Sequence, residues 1–207
     1  MKKYELLVDD TITFFGVQLF RIKALISFSG IEKGEVGGYI ASEKNLSQYG
    51  DAWVSDNAWV SDNARVYGNA RVSDNARVYG NARVYDNAEV YGDARVYGNA
   101  EVYGDAEVYG NAEVYGDARV SDNAWVYGDA RVSGDADYIV FKNTWSSGRY
   151  FTYTKSNKKW RVGCFYGSGA ELVEKAYKDS KKSGDFYKAY VDFVEKLEEI
   201  ENIHKEQ

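Results

Sequence analysis

The pattern of hydrophobic and polar positions repeats every six residues through the middle of the chain. Fourteen valines form one arithmetic progression from Val54 to Val132, and an alanine stands two positions before each of them. Inward Ala and Val therefore alternate with outward residues at the strand period of two. The pairs Gly-Asn, Gly-Asp and Asp-Asn separate the strands, and these residue types tolerate the positive φ that a corner needs. A strict period of this kind predicts a β-solenoid.

Three such hexads would close one triangular coil, whose strands pair in parallel with the next coil about 4.8 Å away. The region from Gly38 to Asp137 is long enough for about five coils. Because the interior is filled with Val and Ala, specificity is left to the outward side chains and to the two flanking segments.

The hexads Ala-x-Val-x-[Gly/Asp]-[Asn/Asp] resemble the hexapeptide-repeat proteins of the LpxA-like trimeric superfamily, which include many acyltransferases. The resemblance covers about half of the chain. It implies a mainly β fold, a left-handed triangular parallel β-helix, and a tendency to form trimers. The segments GGYIASEKNLSQ at 37–48 and VGCFYG at 162–167 resemble uncharacterised phage and prophage proteins, which implies a viral setting.

The N-terminal flank, residues 1–37, is predicted to be a β-hairpin cap, and the β-helix occupies residues 38–137. Strands are predicted at 4–8, 11–15 and 17–24, with a turn around Asp9 and Asp10. Ile40 and Leu46 fall at alanine positions of two irregular early hexads, where larger core residues suit a cap.

The C-terminal flank, residues 138–207, is predicted to be a small α+β unit. Three strands are expected at 138–141, 149–154 and 159–165, and Ser168 with Glu171 forms a capping box that starts a helix to about residue 182. Ser183 and Gly184 are expected to break it before a second helix at 185–203. An apolar stripe on that helix either packs on the solenoid or also forms a dimer or trimer interface; it contains Phe186, Tyr190, Phe193 and Leu197.

The charge is unevenly distributed. Residues 51–137 contain twelve Asp and four Glu against seven Arg, a net charge of −9, whereas the whole chain carries −6. An acidic body makes direct nucleic-acid binding and anionic membranes unsuitable as partners. The chain has no apolar run long enough to cross a membrane and only one Cys, so we expect a cytoplasmic protein.

Catalytic chemistry has few candidates. The single histidine, His204, lies in the tail, and Cys164 falls in a predicted strand without a neighbouring base, where a buried apolar thiol is expected. Acyl transfer of this fold class requires a histidine base, and a zinc site requires several ligands. We therefore predict a non-enzyme without a cofactor or metal.

Outward residues form columns at strand spacing, either as a solvated face stabilised by cross-strand pairs or as a binding surface. Every third hexad from Trp53 forms the first face, and every third hexad from Trp59 forms the second. The first face places the like charges Glu89 and Glu107 one coil apart, which suggests a basic partner. The candidate binding residues on the first and second faces are Trp53, Glu89, Tyr91, Glu107, Tyr109, Trp125, Tyr127, Tyr79, Tyr97 and Tyr115.

Three functions fit these features. The first is a phage-type interaction protein that binds and inhibits a host protein, such as a defence or nucleic-acid-processing factor. An alternative is an oligomer that sequesters a nucleotide signal, with Arg77 and Arg95 beside the tyrosines of the second face. A second alternative is a structural scaffold or virion component.

Overall fold

The computed structural model describes residues 2–14 and 16–205. The chain divides into two compact units, Met1–Asn157 and Lys158–Gln207. The first unit contains the solenoid and the strands on either side of it. The second unit contains a β-hairpin and two helices. The sequence placed a boundary at residue 137, where the repeats end; the strands that follow directly belong to the first compact unit.

An N-terminal hairpin precedes the solenoid, as predicted. Strand β1 (Tyr4–Phe14) pairs antiparallel with β2 (Val17–Ala24), which pairs antiparallel with β3 (Val36–Ile40). The prediction of a turn at Asp9 and Asp10 was wrong, because these residues lie inside β1. The register of the pairing shifts there, between Leu7 and Thr11. The turn instead involves Gly16, and Phe15, predicted to end a strand, lies outside the described residues.

Fourteen two-residue strands, β4 to β17, form the solenoid. Their bounds are Trp53–Val54, Trp59–Val60, Arg65–Val66, Arg71–Val72, Arg77–Val78, Arg83–Val84, Glu89–Val90, Arg95–Val96, Glu101–Val102, Glu107–Val108, Glu113–Val114, Arg119–Val120, Trp125–Val126 and Arg131–Val132. Every third strand pairs in parallel, which gives three faces. The first face contains β4, β7, β10, β13 and β16; the second β5, β8, β11, β14 and β17; the third β6, β9, β12 and β15. Strand β3 joins the second face beside β5.

The interior of the solenoid is a ladder of Ala and Val. Every alanine from Ala52 to Ala130 and every valine from Val54 to Val132 in the repeat is fully buried. Burying one Val side chain stabilises the fold by about 1.5 to 3 kcal/mol. The predicted parallel β-solenoid is thus confirmed, and its stability comes from many small, identical contributions.

The corners are stabilised by ladders of amides and carboxylates. Asn63 donates from its Nδ2 to the Oδ1 of Asn81 at 3.2 Å, Asn81 to Asn99 at 3.0 Å, and Asn99 to the Asp117 carboxylate at 2.9 Å. The Asp62 carboxylate accepts from the Gly80 N–H at 3.0 Å. Many corner carboxylates therefore accept hydrogen bonds from the neighbouring coil.

Two extra residues enlarge one early corner. Ile40 pairs with Val60, and Leu46 forms a bridge with Val66, so both occupy valine positions rather than the predicted alanine positions. The offset of twenty residues, against eighteen in the regular repeat, is taken up at residues 48–50. The assignment of Ile40 and Leu46 to alanine positions was wrong because it extended the regular period of six across these two inserted residues.

Both ends of the solenoid are capped. At the first end Leu6 and Phe28 pack against the core, and at the other end Tyr138 and Val140 do so. A short 3-10 helix, Asp135–Asp137, follows β17, and its Asp137 carboxylate accepts from the Ser133 N–H at 2.6 Å. Strands β18 (Tyr138–Lys142) and β19 (Tyr150–Thr154) then form an antiparallel pair.

The second unit contains β20 (Lys159–Val162), β21 (Phe165–Gly167), α1 (Gly169–Asp179) and α2 (Lys181–Lys205). The single strand predicted at 159–165 is two strands, because Gly163 turns the chain at φ +55°. Cys164 stands exposed on this turn, so the prediction of a buried thiol was wrong.

The capping box at Ser168 and Glu171 is confirmed, but the break between the helices lies at Ser180. Gly184, predicted to break the chain, is helical and packs against the ring of Tyr177.

Candidate ligand-binding cleft

Tyrosines that follow the valines stack into one ladder on each face. On the second face the ring centroids of Tyr79 and Tyr97 are 5.0 Å apart, and those of Tyr97 and Tyr115 are 5.3 Å apart. The ladder on the third face contains Tyr67, Tyr85 and Tyr103, and that on the first face contains Tyr91, Tyr109 and Tyr127. Coil spacing thus places flat rings at the separation of a stacked pair.

Each ladder is preceded by a serine in the neighbouring coil. Ser73 lies beside Tyr91, Ser61 beside Tyr79, and Ser47 beside Tyr67, as the pairing of their preceding residues shows. A serine leaves the space that a ring would fill. On the first and third faces a groove lies at this position, so the change from Ser to Tyr in the column marks where a ligand could enter. On the second face Ser61 is buried and Trp59 contacts Tyr79, and the groove lies beside them.

Glutamates hold several tyrosine hydroxyls in place. Tyr97 donates to the Glu113 carboxylate at 3.1 Å, and Tyr85 donates to Glu101 at 3.2 Å. Burial, together with these acids, raises the pKa of both Tyr85 and Tyr97 to about 12. The hydroxyls therefore stay protonated at physiological pH and serve as fixed hydrogen-bond donors.

The groove on the second face is a cleft of about 500 Å³ between the solenoid and the N-terminal hairpin. We name it the arginine cleft; its lining comprises Phe14, Val17, Leu19, Trp59, Ser61, Asp62, Arg77, Tyr79 and Arg95. Phe14 packs on Trp59 at 4.9 Å between centroids, and Trp59 leans over Ser61 to reach Tyr79 at 5.6 Å. The cleft therefore has an aromatic floor and an apolar wall, with a volume typical of small-molecule sites.

Arg77 is the central charged group of the arginine cleft. Its guanidinium carbon lies 5.3 Å from the Phe14 ring centroid and 5.9 Å from that of Trp59. Among the described residues Arg77 forms neither a hydrogen bond nor an ion pair through its side chain. Two rings orient the group, while its five N–H donors are left for solvent or a ligand.

A second arginine stands directly beside it. Arg95 is the strand partner of Arg77, and it reaches the Glu113 carboxylate at 3.5 Å. Asp62 adds one negative charge to the lining, although its carboxylate already accepts from the Gly80 N–H. The two guanidinium groups repel each other, and an anion between them would relieve that repulsion.

The first face has a smaller groove of about 330 Å³ lined by Trp53, Ser55, Arg71, Ser73, Glu89 and Tyr91. Glu89 and Glu107 are strand partners, as the repeat predicts. Glu107 accepts from the Tyr91 hydroxyl at 2.8 Å, and burial followed by this bond raises the pKa of Tyr91 strongly. Arg71 donates instead to Ser29, so Glu89 is exposed with no side-chain partner among the described residues.

The aromatic ends of that column are less accessible than the sequence suggested. Trp53 is only 2 % exposed and packs edge-on against Tyr4 and Phe28 in the N-terminal cap. Tyr109 is 9 % exposed, and Trp125 and Tyr127 are half-buried. Trp53 therefore offers a partner almost no surface.

The predicted interface residues lie on α2. Phe186 and Phe193 are exposed, whereas Tyr190 and Leu197 are half-buried, and the residues Val191 and Val194 beside them are buried. His204 is exposed near the end of the same helix. Within residues 2–14 and 16–205, no group of three or more His, Cys, Asp or Glu side chains is arranged to hold a metal ion.

The sequence grouped the second-face tyrosines and arginines correctly, because a fixed period specifies which side chains share a face. It missed the wall of the arginine cleft. Phe14 and Leu19 belong to a hairpin without repeat, and only their alternation as apolar strand residues hinted at burial.

Part of the repeat region is similar to a known family. A model described as the YdcK beta solenoid repeat matches residues 60–74, 64–77, 76–92 and 112–128. No curated protein matches the chain. Fold, repeat and family match together define a β-solenoid repeat protein. None of its described helices is both long and apolar enough to span a membrane.

Proposed function

We propose that the protein is a non-catalytic binding module that captures a small planar ligand with one negative charge in the arginine cleft. A nucleotide with a phosphodiester, as in a cyclic mononucleotide, is the ligand class of this description. The observation that carries the proposal is Arg77, which two aromatic rings hold in the cleft and which has no acidic partner among the residues that the structure describes.

The ligand's two chemical parts match two parts of the cleft. A flat ring gains contact against Tyr79, Phe14 and Val17, while Trp59, which is 8 % exposed, packs against Phe14 and Tyr79. A single negative charge suits the lining, because its charged residues Arg77, Arg95 and Asp62 together carry one positive charge. Charge-assisted bonds from guanidinium to phosphate are stronger than neutral ones and add directional specificity.

The proposal predicts measurable binding of cyclic purine mononucleotides by isothermal titration calorimetry. Arg77→Gln should weaken binding by about tenfold or more, since a hydrogen bond to a charged group contributes about 1.5 to 3 kcal/mol. The uncharged nucleoside should bind much more weakly than the cyclic nucleotide. Arg119→Gln, on the third face away from the cleft, is the matched control and should leave the affinity unchanged.

Two results would contradict the proposal. One is an absence of heat for every nucleotide at millimolar concentration with folded protein. The other is an equal loss of affinity in Arg77→Gln and Arg119→Gln, which would indicate only general charge attraction.

A second candidate function is the binding and inhibition of a host protein by the first face. The exposed carboxylate of Glu89, beside the Tyr91 ring and the space above Ser73, favours a basic side chain from such a partner. A phage setting and the hexapeptide-repeat relationship belong to this proposal, as does a trimeric or dimeric state.

The second candidate is tested by affinity capture from host lysate with the wild-type protein, Glu89→Arg and Glu113→Gln. A stoichiometric host protein lost only with Glu89→Arg supports a first-face interaction. A capture profile identical for all three proteins rejects it.

A further inference from the structure

The third face has its own groove, separate from the arginine cleft. It has a volume of about 690 Å³ and lies beside the enlarged corner at residues 48–50. We name it the Tyr49 groove. Its lining includes the aromatic and cationic residues and the serine of the Tyr67 column: Lys44, Ser47, Tyr49, Arg65, Tyr67 and Arg83. All of them belong to the first compact unit.

One face of the Tyr67 ring is available in this groove. Its other face stacks on Tyr85 with centroids 4.9 Å apart and planes 1° from parallel. The next position in the column is Ser47, and no described ring stacks on Tyr67 from that side. The ladder therefore ends in a flat surface, next to a space where a further ring would continue the stack.

The enlarged corner places a tyrosine beside that space. Tyr49 is 86 % exposed, yet the insertion that carries it is anchored. Gln48 accepts from the backbone N–H of Lys3 at 2.8 Å, and the Tyr49 N–H donates to Ser47 Oγ at 3.0 Å. An exposed aromatic ring on a fixed corner gains contact area only when something binds against it.

Positive charge collects in the same groove of an otherwise acidic solenoid. Arg65 and Arg83 are strand partners, and Lys44 completes the set. Arg83 reaches the Glu101 carboxylate at 3.1 Å, but Arg65 and Lys44 have no acidic partner among the described residues. The one acid in the lining, Glu43, is already paired with Lys2 at 2.7 Å.

We infer that the Tyr49 groove is a second binding site, for a planar ring that carries two or more negative charges, as in a nucleoside polyphosphate. The ring stacks on Tyr67 beside Tyr49, and the phosphates contact Arg65, Lys44 and Arg83. This site differs from the arginine cleft in charge: two of its cations have no acidic partner in the described part of the chain, whereas the cleft suits a single negative charge. Each site can be tested independently of the other, since the described lining residues of the two sites do not overlap.

The test is calorimetric titration with adenosine triphosphate, inorganic triphosphate and adenosine. The triphosphate nucleotide should bind most tightly, with affinity falling as salt is raised. Tyr67→Ser should reduce the affinity about tenfold, because it removes the aromatic ring on which the base stacks. Arg65→Glu should reduce it further. Ser is the residue that other coils carry in this column, so Tyr67→Ser is compatible with the fold.

Two control variants separate this site from the cleft. Arg77→Gln should leave triphosphate binding unchanged, and Arg119→Gln tests general charge loss on the third face. A 5′-triphosphorylated oligonucleotide carries the same triphosphate at the end of a strand. If it binds more weakly than the free nucleotide, the ligand is a free metabolite. If it binds more tightly, the ligand is the terminus of a nucleic acid. The inference is overturned if inorganic triphosphate binds as well as the nucleotide, if Tyr67→Ser has no effect, or if the folded protein binds none of the probes.

Discussion

At the residue scale, Lys3 shows how a single side chain closes the end of the solenoid. Its ammonium donates to the Ala52 carbonyl at 2.7 Å and to the Gly50 carbonyl at 3.1 Å, and the residue is 2 % exposed. The first coil has no preceding coil to bond its backbone, so these carbonyls need another donor. Lys3 supplies it, at the cost of burying a charge.

Burial lowers the pKa of Lys3 to about 8, against an ordinary value of 10.5, and Asp51 only partly offsets this. Between pH 8 and pH 10 the native chain has lost this proton while the unfolded chain still carries it. The unfolded state then binds more protons, so this residue makes the free energy of unfolding rise with pH. Below pH 8 both states are charged and the effect disappears.

We therefore predict that stability measured by urea unfolding increases from pH 7.5 to pH 9.5, and that Lys3→Met removes most of the increase. Tyr85 and Tyr97 act only above about pH 10, where their raised pKa values lower stability. Lys2→Met, at an exposed position, is the control and should keep the wild-type slope. An unchanged pH slope in Lys3→Met would show that another group is responsible.

At the scale of elements, Gly184 explains why a helix boundary was misplaced. Local propensity treats Ser183-Gly184 as a break, yet α2 begins at Lys181 and includes both residues. Ser180 has the extended backbone instead, and its N–H bonds to the Ala176 carbonyl. The missing Cβ of Gly184 lets the Tyr177 ring of α1 lie directly against α2. Tertiary packing thus overrides propensity here.

Gly184→Ala should destabilise the second unit by about 1 to 3 kcal/mol, because the new methyl overlaps the Tyr177 ring. The sign of this change in stability is informative, since the same substitution in an exposed helix would stabilise that helix by up to about 1 kcal/mol. Hydrogen exchange of the α2 amides measures the effect. Adding Tyr177→Ala should recover most of the loss, and additive losses in the double variant would refute the steric explanation.

The periodic solenoid could be predicted from the sequence, whereas the elements outside the repeat could not. The period of six predicted the ladders of Tyr79 and Tyr97 and the neighbouring arginines, since each side chain's face depends only on its position in the repeat. The wall at Phe14 and the insertion at Tyr49 lie in segments without a period. Their positions depend on how a hairpin and a corner pack against the solenoid, which local patterns do not specify.

At the scale of the molecule, the solenoid is a stack in which each coil contacts mainly its neighbours. Such arrays have stabilities close to a sum of coil and interface contributions. Deleting residues 114–131 removes one coil of eighteen residues and joins Glu113 to Val132, so the strand β14 is restored as Glu-Val. Arg95 keeps its partner Glu113, and neither the arginine cleft nor the Tyr49 groove loses a lining residue.

The shortened protein should therefore fold, with circular dichroism of a β-solenoid and nucleotide affinities within about twofold of the wild type, because the removed interfaces are replaced by equivalent ones. Deleting only residues 126–131 is the matched control. It removes fewer residues but moves every later element to another face, so β18 and β19 meet a different column of outward side chains at the end of the solenoid. We expect this smaller deletion to be the more destabilising of the two in thermal unfolding. If the reverse holds, the C-terminal cap accepts any face of the solenoid, and the loss of a whole coil is not compensated by the equivalent interfaces that replace it.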